Sequence, residues 1–353
     1  MVMDSERMTN FESLQIEQKK ENKRILWILN CLSCLVSLAL FGIPGMILRY
    51  YLDKLFGPEV LSFTRDDSPL YYDLLPNMVG SFLMGWLGVV FKGDIASISD
   101  NLAVGLTTGF LGSLTTFSGW NQKLVELTIE HQWVTSVGII FLGVVLVEAM
   151  IERGIETAEK WKGKKRCSKL KIFSHEGGCD LQNYNYLTAT LLLVVVFIIV
   201  LGTCTTLGIR EFNHADYDVK LLLACIVVPF GVWTRYFLAC VWNDHDGIGE
   251  KAWLKWVPFG TLVANVSAAS IMAALAALKK EVKNDTFYTI AAALQLGFCG
   301  CLSTVSTLVA EHYKLKRGGS LWRAYAYTLG TIAISFTLGI AIYVGLSQIK
   351  VHG

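Results

Sequence analysis

Nine runs of mostly apolar residues follow one another along the chain, near 25–52, 74–91, 102–120, 133–152, 187–208, 219–241, 256–278, 288–310 and 321–347. A helix needs about 20 such residues to cross a bilayer. In lipid, every backbone amide must be satisfied inside the protein, which leaves helices or closed barrels. Runs of this length therefore predict an all-α membrane protein. Composition agrees, since 17% of residues are charged against about 25% in soluble domains. The net charge of +2 singles out no partner beyond the lipid bilayer, and the chain carries no nucleic-acid signature. The third and eighth runs are the weakest of the nine.

The first 24 residues are polar and mixed in charge. They are not a secretory signal, because the apolar run behind them starts late, is too long and has no small-residue cleavage pattern. Lys and Arg cluster there (Arg7, Lys19, Lys20, Lys23, Arg24) and again in the 153–186 connection. The 209–220 connection has only Arg210 and Lys220, offset by Glu211, Asp216 and Asp218, and Lys314, Lys316 and Arg317 follow later. The positive-inside rule then places the N-terminus and the 153–186 connection in the cytosol and, with nine spans, the C-terminus outside. Plasma membrane is the default location. Cys31, Cys204, Cys225 and Cys299 sit in spans and read as small apolar filler. Cys167 and Cys179 flank His175, a weak zinc candidate with three irregularly spaced ligands.

The chain repeats itself. "GIPGMILRYYL" (42–52) resembles "PFGVWTRYFLA" (229–239), placing Arg49 over Arg235 at an offset of 186. "LLPNMVGSFLMG" (74–85) resembles "GTLVANVSAASI" (260–271), placing Asn77 over Asn265 at 188. "GFLGSLTTFS" (109–118) resembles "GFCGCLSTVS" (297–306), again at 188. Three landmarks in one order at nearly one offset define two four-span repeats. The chain divides into a tail (1–24), a first repeat (25–152), a basic connection (153–186), a linker span (187–208), a second repeat (209–347) and a short tail (348–353). One span between two four-span units turns the second upside down. The expected layout is an inverted repeat with any central site between the halves.

Few ionisable residues fall inside the spans, and those that do are functional candidates. Arg49 and Arg235 recur at the same repeat position, which suits a fixed positive field or a structural clamp at an anion path; snorkelling to the interface is the plain alternative. Glu148, near a span end, reads as solvated. Asn77 and Asn265 also recur, each with an amide donor for an anion or for a neighbouring helix. "GFLGSLTTFSGW" (109–120) makes a poor continuous helix, with Gly109, Gly112, Gly119, Thr115, Thr116 and Ser118. A broken helix survives in a membrane where it is buried in protein or lines a cavity. There, freed carbonyls hold cations and half-helix N-termini face anions. A small-residue packing seam would explain the Gly and Ser but not TTFS recurring against STVS.

These stretches closely resemble the third-helix signature of the small bacterial fluoride channels, the Fluc or CrcB family. The Asn of "NMVGSFLMG" and the Arg-Tyr of "GMILRY" resemble that family's second- and first-helix marks. The doubled arrangement over about 25–347 looks like the eukaryotic fused fluoride exporters, in wording closest to plant members. The resemblance implies a single chain mimicking an antiparallel homodimer, with two fluoride paths beside the interface. Asn77, Phe117, Ser118, Trp120, Asn265, Ser306 and Thr307 would belong to the paths. Aromatic edges, the positive side of the ring, would face the anion. A structural sodium ion at the interface would be held by main-chain carbonyls of Gly112, Thr115, Gly300 and Ser303, a hard cation among oxygens. Glu311 matches a carboxylate of the family's third helix, whereas the first repeat has Lys123 there. The second repeat has Val305 and Leu308 where the family has rings. The halves are therefore not equivalent, and one competent path beside a vestigial one is expected.

The resemblance implies a passive channel that lets the membrane potential expel cytosolic fluoride, at about 2.3 kcal/mol per charge per 100 mV. The chain has no GxxxxGK[ST] phosphate loop for ATP. The alternative is a proton-coupled fluoride antiporter, which wants a buried titratable carboxylate; Glu148 and Glu311 come nearest. An enzyme is disfavoured, because the histidines at 131, 175, 214, 245, 312 and 352 all lie in connections, at span ends or in the tail and read as solvated.

Overall fold

The computed structural model describes residues 2–58, 60–64, 70–165, 179–211, 217–243 and 255–348. Cys167, His175, His214, His245 and His352 lie outside the described residues, as does the tail beyond 348, and of Cys179 the backbone alone is described. All regular structure among the described residues is helical. The first half contains α1 (Val2–Phe56), α2 (Leu74–Leu83), α3 (Lys92–Ala96), α4 (Asp100–Val104), α5 (Gly112–Leu114), α6 (Phe117–Ile129) and α7 (Trp133–Lys165). Then come α8 (Cys179–Glu211), α9 (Tyr217–Trp242), α10 (Phe259–Glu281), α11 (Asp285–Ala293), α12 (Gly300–Leu302), α13 (Val305–Arg317) and α14 (Leu321–Ser347). Wide π-helical turns follow α2 (Met84–Val90) and join α4 to α5 (Gly105–Leu111) and α11 to α12 (Leu294–Cys299). Seven helices among the described residues are long and apolar enough to cross a membrane, and Leu74–Val90 is a shorter apolar one. The first broken segment runs on past Trp120 to Ile129, further than the apolar run at 102–120 predicts.

α8 is exposed over most of its length, with Leu191, Leu192, Ile198 and Ile199 all facing outward. An apolar, uncharged surface of this kind is suited to lipid rather than water. α1 and α9 pack against each other in opposite chain order. Trp233 Nε1 donates to the Leu35 carbonyl at 2.8 Å, while Gly42 faces Val228 and Val232. Gly42 has no Cβ to separate them; one placed there would lie 2.9 Å from Val232. The core around the breaks joins both halves: Leu111, Leu114, Phe117 and Trp120 pack with Val305, Leu308 and Val309.

Candidate functional site

Each broken segment opens at two consecutive extended residues. Thr115 (φ −101°, ψ 147°) ends α5 and Thr116 (φ −137°, ψ 131°) precedes α6. Ser303 (φ −86°, ψ 160°) and Thr304 (φ −157°, ψ 137°) do the same between α12 and α13. Gly and β-branched Thr weaken the helix there, and Thr is well suited to the cap that restarts it. Thr116 Oγ1 accepts from the Gly119 N–H and Thr304 Oγ1 from the Thr307 N–H, each at 3.4 Å.

Within each half an asparagine holds the extended strand. Asn77 Oδ1 accepts the Thr116 N–H at 2.8 Å and its Nδ2 donates to the Thr116 carbonyl at 3.0 Å. Asn265 does the same for Thr304, at 2.8 and 3.2 Å. Both asparagines are fully buried, with the amide group engaged on the break itself.

Between the halves the hydroxyls are exchanged. Ser303 Oγ accepts the N–H groups of Phe117 (3.1 Å) and Ser118 (3.0 Å), capping α6 of the other half. Thr115 Oγ1 accepts those of Val305 (3.3 Å) and Ser306 (3.1 Å), capping α13. Ser118 Oγ reaches the Cys299 carbonyl and Ser306 Oγ the Leu111 carbonyl, both at 3.2 Å. Thr307, expected on the path, accepts from Thr304 Oγ1 at 3.4 Å.

The two arginines cross over in the same way. Arg49 Nη1 donates to the Gly300 carbonyl at 2.8 Å and Nη2 to Leu296 at 2.5 Å. Arg235 Nη1 donates to Gly112 (2.6 Å) and Ser303 (3.1 Å), and Nη2 to Thr108. The wide turns at Thr108 and Leu296 and the breaks after Gly112 and Gly300 leave carbonyls without their usual partner four residues on, and the guanidinium forks fill those vacancies. Charge-assisted bonds of this type are the strong ones. Gly112 and Gly300 are required for close approach, since a Cβ on either would collide with the facing guanidinium. Both arginines are buried. Their guanidinium groups bond to the breaks instead of reaching the surface. Of the four carbonyls the resemblance assigns to sodium, those of Gly112, Gly300 and Ser303 lie at the arginine forks, and that of Thr115 belongs to the same break. Three of them accept from an arginine, and a carbonyl keeps a second lone pair of the hard oxygen type that a sodium-like cation takes.

Phe117 and Trp120 are buried at 1% and 2% exposure, ring edge to ring face at 5.9 Å. Trp120 also stacks on Tyr71 and fills the space left by Gly143 of α7. Glu311 is drawn inside. It accepts from Thr261 Oγ1 and Tyr327 OH, both at 2.7 Å, beside a cavity of about 580 Å³ whose rim carries Lys92, Lys255, Lys314 and Arg323.

Two sequence expectations are corrected. Glu148 is not a solvated helix end: its side chain is 14% exposed and takes bonds from Lys316 Nζ (2.5 Å) and Tyr325 OH (3.1 Å). His312 is not solvated either. It is 2% exposed, 3.6 Å from Glu148, with Nδ1 against the Ala324 carbonyl and Thr328 Oγ1. Both miss for one reason: α7 and α13 continue past their apolar stretches and pack on each other. The spacing of Glu148 with Glu152 and of His312 with Lys316, four residues each, was the available signal, since i and i+4 share a helix face.

A family model described as CrcB-like protein, Camphor Resistance (CrcB), matches residues 36–155 and again 222–346. A fluoride-specific ion channel FluC from Geobacter metallireducens is 35% identical over 124 residues, covering 35% of this chain and 95% of its own length. FluC from Haemophilus influenzae is 31% identical over 124 residues, covering 35% of this chain and 91% of its own. Fluoride export protein 1 of Candida albicans is 27% identical over 248 residues, 65% of this chain and 57% of that protein. No solved structure gives a significant match. With more than half of its length inside two successive matches, the chain belongs to the CrcB/FluC family of fluoride channels, a transport family and not an enzyme family.

Proposed function

We propose that the chain is a passive, fluoride-selective channel of the fused eukaryotic, plant-like type, exporting cytosolic fluoride across the plasma membrane. The observation that carries this reading is the reciprocal exchange at the helix breaks. Thr115 caps α13 while Ser303 caps α6, and Arg49 and Arg235 cross over between halves. An exchange of this kind is what a two-fold interface produces. The opposite chain order of α1 and α9 supports an axis in the membrane plane, hence two inverted four-span repeats about α8, nine crossings, a cytosolic N-terminus and an external C-terminus. One chain then does the work of an antiparallel dimer. We place a structural sodium ion among the carbonyls at the breaks, where it would add fixed positive charge between the paths.

One path is favoured over the other. On α14, Tyr327, Thr331 and Ser335 recur every four residues and are all buried, and Ser335 Oγ has no partner. At the 188-residue offset, which the starts of α6 and α13 and of α7 and α14 also obey, α7 carries Ile139, Gly143 and Val147. A fluoride ion leaving water needs close donors to replace its hydration. The α14 path has them, with Glu311 at one end; the α7 path is apolar and filled by the Trp120 ring. The conducting path is accordingly the one along α14.

A proton-coupled antiporter is the second reading, and the burial of Glu311 and Glu148 favours it specifically. Efflux from liposomes separates the two. Fluoride release set by potassium and valinomycin, without a pH gradient and without chloride release, supports the channel. Release that waits for a proton gradient overturns it.

A further inference from the structure

The cavity of about 580 Å³ beside Glu311 opens where the start of α10, the end of α13 and the start of α14 meet, with Lys92 of α3 on its rim. Lys92, Lys255, Lys314 and Arg323 line it against one carboxylate among the described residues, Glu311. That carboxylate is already engaged, by Thr261 and Tyr327 at 2.7 Å each and by Asn243 Nδ2 at 3.4 Å. The side chains of Lys92, Lys314 and Arg323 make no hydrogen bond and no ion pair among the described residues. Arg323 is held without spending its donors. Its guanidinium carbon lies 5.8 Å from the Trp256 ring centre and 5.6 Å from that of Trp322, and the two rings meet edge to face at 5.4 Å. Ring faces attract the charge and leave the N–H groups unused. Arg323 Nε is buried with no partner, a rarity among buried polar atoms.

Two helix starts add to this field. α10 begins after Pro258 and α14 after Ser320, both on the lining, and the Ser320 side chain makes no cap. The first turn of a long helix carries partial positive charge and unused N–H groups. The other half is built differently. At the 188-residue offset Glu311 falls on Lys123, which lines a second cavity of about 370 Å³. There Lys279 Nζ donates to Gln295 Oε1 at 2.9 Å, Lys280 lies over the Tyr343 ring, and Asp73 and Glu126 bring two carboxylates. The counterparts of Lys314 and Arg323 are Glu126 and Thr135. The unbalanced positive charge is therefore no part of the repeat and belongs to one cavity.

We propose that the cavity lined by Lys92, Lys314 and Arg323 binds a phosphate monoester group. Such a group carries about −1.5 to −2 charge at neutral pH and three acceptor oxygens. Arg323 offers the planar fork that matches it, and Lys92 and Lys314 act as point charges. The volume is far above that of a bare halide and falls among small-molecule sites. Next to Arg323, Leu321 and Trp322 are 56% and 64% exposed, an apolar and aromatic lip of the kind found where membrane meets water. Basic pockets between membrane helices take up anionic headgroups. A lipid headgroup and a soluble ester present the same group to these residues. No covalent bond forms or breaks. The site goes beyond the channel reading and does not rest on it.

The test is native mass spectrometry of the purified full chain in a maltoside detergent, titrated with dioctanoyl phosphatidic acid, with glycerol phosphate, and with dioctanoyl phosphatidylcholine as control. One saturable adduct per chain is expected with a phosphate monoester and none with phosphatidylcholine. Arg323→Gln should raise the half-saturating concentration at least about tenfold, the loss expected for a charge-assisted hydrogen bond. The double variant Lys92→Gln, Lys314→Gln should do the same, and because both lysines are exposed it leaves the fold intact. Lys279→Gln in the other cavity should stay within about twofold. Phosphatidic acid binding about tenfold or more above glycerol phosphate assigns the group to the leaflet; equal affinities assign it to solution. No saturable adduct with either ester overturns the proposal. So does an equal adduct with phosphatidylcholine, or an affinity unchanged in both variants. Fluoride efflux from liposomes keeps the two readings apart. A chain that conducts without binding either ester sinks this inference alone, while one that binds and does not conduct sinks the channel reading alone.

Discussion

Thr115→Val tests the exchange of caps between the halves. Valine keeps the size and β-branching that suit the extended backbone at this position and removes only the hydroxyl. In the native chain that oxygen accepts the N–H of Ser306 at 3.1 Å and of Val305 at 3.3 Å. Both lose their partner in a fully buried place. An orphaned buried N–H costs about 1–3 kcal/mol, so two cost roughly 2–6. The longer Val305 contact belongs at the low end. The Leu111 carbonyl also loses a donor, but it keeps the Ser306 hydroxyl at 3.2 Å and the Thr115 N–H at 3.2 Å. The expected loss is about 3 kcal/mol. Thr234→Val is the matched control: on an exposed helix face its hydroxyl reaches only the Phe230 carbonyl, one turn back, at 2.7 Å, and a surface change of this sort stays within about 0.5 kcal/mol. Reversible unfolding in SDS-containing mixed micelles, followed by tryptophan fluorescence, measures both. Ser303→Ala should match Thr115→Val, since Ser303 Oγ receives two N–H groups at 3.0 and 3.1 Å. A loss below about 1 kcal/mol for Thr115→Val would show that the exchanged hydroxyls do not hold the breaks.

Gly112→Ala and Gly300→Ala should each lower fluoride efflux from liposomes at least tenfold, because the new methyl displaces Arg235 or Arg49 from the break carbonyls; Gly202→Ala, with nothing within 4 Å of its Cβ position, should not. Ser335→Ala should slow efflux about tenfold, the worth of one hydrogen bond, while Ile139→Val on α7 leaves it within twofold; equal effects would count against conduction along α14. Asp73, just before α2, has its carboxyl pushed up to about 6 by burial, against an opposing pull from Arg49. The folded chain therefore binds this proton more tightly than the unfolded one, so stability falls as pH rises from about 4 to 6 and stays low above. Asp73→Asn should flatten that limb and raise thermal stability at pH 7; an unchanged pH profile of melting would refute it.

The breaks were legible in the sequence because their signal is local. Gly112, Thr115 and Thr116 weaken the helix where they stand, and the same weakness recurs at Gly300, Ser303 and Thr304. The repeat was legible because Arg49, Asn77 and the TTFS block reappear at one offset. What each of these residues binds was not. Nothing near Thr115 indicates that its hydroxyl serves Ser306, 191 positions away, because that pairing arises only when two distant segments meet. Glu148 and His312 illustrate the same limit. Hydropathy measures how far a residue lies from the edge of its own apolar run, and both lie near an edge. Burial comes from the partner helix, and α7 and α13 belong to different repeats. Trp120 was legible as an odd ring at an aromatic position, but its seat against Gly143 depends on a glycine whose role appears only in three dimensions.

The exchanged caps also constrain the order in which the chain is made. Ribosomes release the first half before Ser303 exists, so α6 enters the bilayer with the N–H groups of Phe117 and Ser118 still waiting for their acceptor. In lipid such groups cannot turn to bulk water. The first half is thus an unfinished object during synthesis, held until well over a hundred further residues arrive. A truncated product stopping before Ser303 would carry that exposed helix start permanently, a mark by which a cell's membrane quality control could tell half a protein from a whole one.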